Sequence, residues 1–155
     1  MTRTALHQRL RPDRFEGPAH MATLNLLIAA GFLQERLTLR FAEFELTPAQ
    51  YNVLRILKGA GPAGHPRCEI ARRMIEHAPD LTRMIDRLER RGLVERARSG
   101  QDRRHSITRI TSAGLALLER MAPAAADLHH TVSQRLTRPE VAALSRLCEK
   151  LHAQD

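Results

Sequence analysis

The stretch DLTRMIDRLERRGLVERARSGQDRRHSIT, residues 80–108, decides the fold. Leu81, Met84, Ile85 and Leu88 recur at i, i+3, i+4 and i+7, which gathers one apolar stripe on a short helix. Arg83, Asp86, Arg87 and Arg90 fall on the opposite face. Gly92 stands where a left-handed residue ends a helix, Leu93-Val94 opens a strand, and 106–110 supplies its partner across a turn at Ser99-Gly100-Gln101-Asp102. A helix with a buried back and an arginine front, joined to a basic hairpin, suits insertion into a DNA groove with the hairpin as a wing. Residues 83–109 hold nine arginines and four acids, so +5 of the chain's formal +8 is concentrated there.

Outward from this segment the signals are helical. Thr47-Pro48-Ala49-Gln50 is a capping box, with Thr47 as N-cap and Pro48 at the first helical position. The helix it opens turns Tyr51, Leu54 and Leu57 inward and ends at Gly59-Ala60-Gly61-Pro62. A loop ending at Pro66 leads to a short helix over 68–74 with Ile70, Ala71 and Met74 buried. Ala78-Pro79-Asp80 restarts the chain, with Pro79 at N1 and Asp80 at the positive end of the helix dipole. Upstream, about 19–43 reads as one helix with two apolar stripes: Leu26, Ala30, Leu33, Leu37, Phe41 and Phe44 on one, Leu24, Ile28, Phe32 and Leu39 on the other. Two stripes need two partners, either elements of the same domain or its own domain and a second subunit. Downstream, Leu115, Leu118, Met121, Leu128, Val132 and Leu136 suggest a long helix kinked near Pro123, and a second capping box, Thr137-Arg138-Pro139-Glu140, opens a last helix with Val141, Leu144, Leu147 and Leu151 on one side.

The 155 residues suit one domain, and a pI near 11.0 favours a polyanionic partner, nucleic acid or an anionic membrane surface. The longest apolar run, 26–33, is much shorter than the roughly 18 residues of a membrane span. The basic N-terminus lacks the apolar core of a secretory signal, and two distant cysteines make neither a disulfide framework nor a CxxC zinc site, so a reducing cytoplasm is expected. Aromatic residues at 3% offer little stacking surface for single strands, which favours duplex DNA.

With these elements placed, the sequence resembles the MarR family, the multiple-antibiotic-resistance-type transcriptional regulators. The resemblance covers 46–114 and rests on Leu46-Thr47-Pro48-Ala49-Gln50-Tyr51, on Leu81-Thr82-Arg83-Met84-Ile85-Asp86-Arg87-Leu88, on Gly92-Leu93-Val94, on Asp102-Arg103-Arg104 and on Ile110-Thr111-Ser112-Ala113-Gly114. It implies a mainly α fold with a small β-hairpin. One MarR-type domain would span 1–155, with a winged helix-turn-helix lobe at 46–111 and helical dimerisation regions at 15–45 and 112–155. It further implies a homodimer on a pseudo-palindromic operator, with half-sites about 10 bp apart, and the possible release of a repressor by a small-molecule effector. Thr82, Arg83 and Arg87 match the family's groove-reading positions, where a guanidinium can bind guanine O6 and N7. Arg104 matches the wing arginine of the minor groove. Arg90, Arg98 and Arg103 complete the candidate DNA-binding set. Asp102, repelled by phosphate, is expected to hold a wing arginine in place. Ala78-Pro79 departs from the small polar residue often found before the recognition helix.

Each signal also has a plainer reading. A charged helix face is usually solvated, but the adjoining arginine hairpin favours DNA. Arg72 and Arg73 reach either phosphate or solvent. Cys68 with His65 could make a nucleophile and base, but no orienting third group accompanies them, and both Cys68 and Cys148 read as small buried packing residues. His129-His130 with Glu119 and Asp127 are metal-ligand types, yet adjacent helical residues point about 100° apart and suit solvated surface better. Tyr51 reads as core or as the border of an effector pocket. No enzyme, metal or cofactor is expected. The alternatives to a regulator are an architectural protein that bends DNA with weak sequence preference, and a winged-helix module that binds protein.

Overall fold

The computed structural model describes residues 17–98 and 106–153, with Arg98 described by its backbone. The chain divides between Arg36 and Leu37 into two compact units. Helix α1, Pro18–Ala42, supplies the described part of the first unit and runs on into the second. Within the first unit the Thr23 hydroxyl donates to the Ala19 carbonyl at 3.0 Å, and the Arg36 guanidinium lies 5.7 Å from the centre of the Phe32 ring.

The second unit holds α2 (Pro48–Ala60), a 3-10 turn (Gly61–Ala63), β1 (His65–Pro66), α3 (Arg67–Arg73), α4 (Leu81–Arg90), β2 (Val94–Arg98), β3 (Ser106–Ile110), α5 (Ser112–Arg135) and α6 (Arg138–His152). Helix α2 starts where its capping box puts it. The Gln50 N–H donates to Thr47 Oγ1 at 3.2 Å and the Thr47 N–H to Gln50 Oε1 at 3.0 Å. From that start Val53, Leu54 and Leu57 point into a core shared with Phe41, Ile70, Leu88 and Met121, all seven enclosed at 0% exposure. Each stabilises the fold by about 1.5–3 kcal/mol relative to an exposed side chain.

Helix α4 ends in a Schellman motif. The Gly92 N–H donates to the Glu89 carbonyl at 2.8 Å and the Leu93 N–H to the Leu88 carbonyl at 3.0 Å, with Gly92 at φ +69. The chain leaves this cap directly into β2, so α4 and β2 share one short joint. Strand β3 is central, in the order β1-β3-β2, and both neighbours are antiparallel to it. Pairs run from Val94 with Ile110 to Arg98 with Ser106. Thr111 caps α5, accepting from the Gly114 N–H at 3.1 Å and donating to the Gly92 carbonyl at 2.7 Å. A Cβ on Gly114 would lie 2.3 Å from the Leu93 carbonyl oxygen, so only glycine allows α5 to start against the end of α4.

Three local expectations are corrected. The hairpin of β2 and β3 forms as expected, but the loop ending at Pro66 holds a third strand, because His65–Pro66 pairs with Thr108 and Ile107. Pro66 hid that strand in the sequence, but on an edge its missing N–H costs no ladder bond. Pro79 is not at N1. The Leu81 N–H donates to the Ala78 carbonyl at 3.2 Å, which makes Pro79-Asp80 the centre of a turn and leaves Asp80 as the N-cap residue. Helix α3 runs from Arg67 to Arg73 and buries Ile70 alone, leaving Ala71 exposed and Met74 half-buried beyond its end.

Helix α5 continues through Pro123 to Arg135, and Arg40 Nε at the end of α1 bonds Asp127 Oδ2 at 3.0 Å. Helix α6 has its capping box, with the Thr137 N–H donating to Glu140 Oε2 at 2.7 Å. The Thr137 hydroxyl and N–H hold the Glu140 carboxyl below the usual carboxylate range. No residue of α6 is buried, and Val141, Leu144, Leu147 and Leu151 stand exposed along one side. Among the described residues no helix is long and apolar enough to cross a membrane.

Candidate nucleic-acid interface

Leu81, Ile85 and Leu88 are enclosed and Met84 is half-buried, so the inner stripe of α4 has the burial its spacing predicts. The 3.6-residue repeat then fixes the outer face. Thr82, Arg83, Arg87 and Arg90 are all exposed on this one helix. The Arg83 and Arg87 side chains make no hydrogen bond or ion pair with any described residue, and Arg90 Nε reaches back to the Asp86 carbonyl at 3.4 Å. Arg98 is the last residue of β2. Asp102, Arg103 and Arg104 lie outside the described residues.

Geometry sorts the arginines that composition had lumped together. Arg91 Nη2 donates to the Phe44 carbonyl at 3.1 Å, and Nη1 donates to the Glu45 carbonyl. Arg109 Nε donates to the Pro62 carbonyl at 2.7 Å. Arg96 turns from β2 toward α4, pairs with Asp86, and lies 3.6 Å from Glu89 Oε2. These three serve the protein itself, whereas Arg83 and Arg87 point their charge outward. Sequence reasoning missed Arg96 as a site-building residue. The available signal was that Asp86 and Glu89 lie one turn apart on α4, and that Arg96 alternates with Glu95 onto the same side of β2 as the buried Val94.

On α3 the Glu69 carboxylate takes both arginines of its last turn, Arg73 Nε at 2.6 Å and Arg72. The Arg73 hydrogen bond is the largest of the causes that lower the Glu69 pKa; desolvation opposes it, and both guanidinium charges and the Arg72 hydrogen bond add to the lowering. Both arginines remain exposed.

A cavity of about 350 Å³ lies between α3, the sheet and α4, lined by Pro66, Arg67, Cys68, Thr82, Ile85, Arg96, Ser106 and Thr108. The lining includes the basic Arg67 and Arg96 and the hydroxyl-bearing Thr82, Ser106 and Thr108, and Thr82 belongs both to this cavity and to the exposed face of α4. Cys68 is exposed here and Cys148 is half-buried, so neither is the buried packing residue expected. The reason is their helix phase: Ile70, not Cys68, is the α3 residue aimed at the core. Tyr51 is half-buried with its ring centre 4.6 Å from that of Phe41, which places it at the edge of the core. His129 and His130 are exposed, and among the described residues no group of three His, Cys, Asp or Glu side chains is arranged around a metal position.

The sequence profile of the MarR family matches residues 46–106. The multiple antibiotic resistance protein MarR of Escherichia coli is 33% identical over 108 residues, covering 69% of this chain and 74% of that protein. A MarR transcription factor from Planctomyces limnophilus has a crystal structure 37% identical in sequence, with a TM-score of 0.69 over 88% of this chain and 98% of that one. A mutant MarR from Escherichia coli complexed with operator DNA is 29% identical, with a TM-score of 0.75 over 86% of this chain and 96% of that one.

Proposed function

The chain belongs to the MarR family, and from that premise we propose that it is a sequence-specific regulator of transcription that binds duplex DNA as a homodimer and acts as a repressor released by a small molecule. The observation that carries the reading is the outer row of α4. Arg83 and Arg87 stand exposed and unpaired among the described residues, on a helix whose other side is locked into the core. That locking fixes the face from which both side chains leave the helix, and a guanidinium that reaches a major groove from there makes bidentate contact with guanine. Thr82 adds a hydroxyl to the same face, Arg90 extends it, and Arg98, Arg103 and Arg104 provide the wing, with Asp102 positioning a wing arginine.

In this proposal residues 46–111 form the DNA-binding lobe of a single domain, and 15–45 with 112–155 form the dimer base. The exposed Val141, Leu144, Leu147 and Leu151 of α6 support that assignment, since such a stripe is stable in water once a second apolar surface covers it. The cavity beside Thr82 is the proposed effector site. A ligand there shifts DNA affinity insofar as it prefers the arrangement of α4 that misfits the operator. The proposed task is binding rather than turnover, carried out in the cytoplasm.

Selection of duplexes from random DNA by the purified protein tests the reading. The expected product is an inverted repeat with half-sites about 10 bp apart. A pool that stays random under selection, bound but unsorted, would identify an architectural protein instead.

A further inference from the structure

Resting on the reading above, the structure assigns Arg96 as the positioning residue of the DNA interface: it is a wing-strand arginine that touches no DNA and holds the reading helix at its working angle. Arg96 stands on β2, two residues past the buried Val94 and on the same side of the strand. Its guanidinium reaches across to α4, pairs with Asp86, approaches Glu89 Oε2 at 3.6 Å and lies 3.5 Å from the Thr82 carbonyl. The Arg96 backbone N–H donates to Glu89 Oε1 at 3.2 Å, so strand and helix are joined by main chain as well as side chain. The three α4 positions, 82, 86 and 89, form one row at i, i+4 and i+7. The row 83, 87 and 90, which carries the outward arginines, runs beside it.

A planar guanidinium that engages two carboxylates and a carbonyl resists rotation of α4 about its axis, which a point charge does not. Arg96 is 28% exposed, so it belongs to neither the core nor the outer face, and its loss leaves the buried stripe of α4 intact.

The test compares wild type, Arg96→Ala, Arg96→Lys and Arg87→Ala on the selected duplex and on a scrambled one at fixed salt. For Arg96→Ala the ratio of the two affinities should fall about tenfold or more, with the slope of affinity against salt unchanged because no phosphate contact is lost. Arg96→Lys should recover part of the ratio. A DNA-free readout stands beside these: amide exchange in β2 and α4 should quicken several-fold in Arg96→Ala and stay at the wild-type rate in Arg87→Ala. An unchanged ratio overturns the assignment. A salt slope reduced by about one unit per protomer also overturns it, because Arg96 would then be a phosphate contact. Wild type that fails to discriminate the two duplexes refutes the regulator reading instead, and the exchange rates then decide Arg96 alone: unchanged exchange overturns it.

Discussion

Arg91 grips the backbone of Glu45. Arg91, the first residue beyond α4, donates to the carbonyls of Glu45 and Phe44, at the point where α1 turns into α2. Glu45 sits at φ +54, a left-handed conformation that costs a side-chain-bearing residue about 1 kcal/mol. It ends α1 in the same way that Gly92 ends α4, with the Glu45 N–H on the Ala42 carbonyl at 2.9 Å and the Leu46 N–H on the Phe41 carbonyl at 3.3 Å. The end of the reading helix is thereby tied to the end of α1 through one guanidinium.

This contact predicts opposite effects at its two ends. Glu45→Gly relieves the left-handed strain and should leave the protein as stable or more stable, by up to about 1 kcal/mol. Arg91→Ala strips the donor from two carbonyls and should cost about 1–2 kcal/mol. Urea denaturation with an unchanged m-value measures both, and equal destabilisation by the two changes would show that the grip on Glu45 carries no strain.

Arg83→Ala should relax sequence preference at one base position and cost about 1–3 kcal/mol in operator affinity. Arg109→Ala should leave preference and salt slope alone, since that side chain is committed to the Pro62 carbonyl. Binding profiles over single-base operator variants distinguish them, and a loss of discrimination in Arg109→Ala would reverse the division drawn among the arginines.

Much of this was legible from spacing. The repeat of Leu81, Ile85 and Leu88 placed the buried back of α4, and both capping boxes located the starts of α2 and α6, because these are local patterns that the backbone reads within a turn or two. The edge strand at His65–Pro66 was not legible, since its evidence is a pairing with residues some forty positions away in the chain. For the same reason the roles of Arg91, Arg96 and Arg109 stayed hidden: each is an exposed-looking basic residue whose acceptor lies on another element. Cys68 misled because a seven-residue helix carries too few apolar positions to fix its phase. Asp102, Arg103 and Arg104 lie outside the described residues, and their roles in the wing are proposed.

Leu88→Ala should destabilise the lobe by about 2–5 kcal/mol, because the Leu88 side chain is fully enclosed and its removal leaves a cavity beneath α4. Thermal unfolding with and without duplex reports it. A loss below about 1 kcal/mol would mean that the space beneath α4 collapses to fill the gap.

Acidification acts on Glu69 and Glu140, whose folded pKa values both lie below the ordinary carboxylate range. Their contribution to stability is fully present above that range and is lost as pH falls through the lowered folded values. Stability should therefore stay level from pH 7 to about 5 on their account and decline below about 4.5, with Glu140→Gln showing a shallower decline than wild type. Chemical denaturation across that interval checks the sign, and parallel curves for the two proteins would remove Glu140 from the account.

The central claim is that the outward arginines of α4 read duplex sequence, and a competition measurement at fixed salt tests it most directly. Wild type should hold the selected duplex roughly 10³-fold or more tighter than a scrambled one. The Arg83→Ala, Arg87→Ala double variant should lose most of that ratio while still binding both. Equal affinity of wild type for the two duplexes, or a double variant that discriminates as well as wild type, would contradict it.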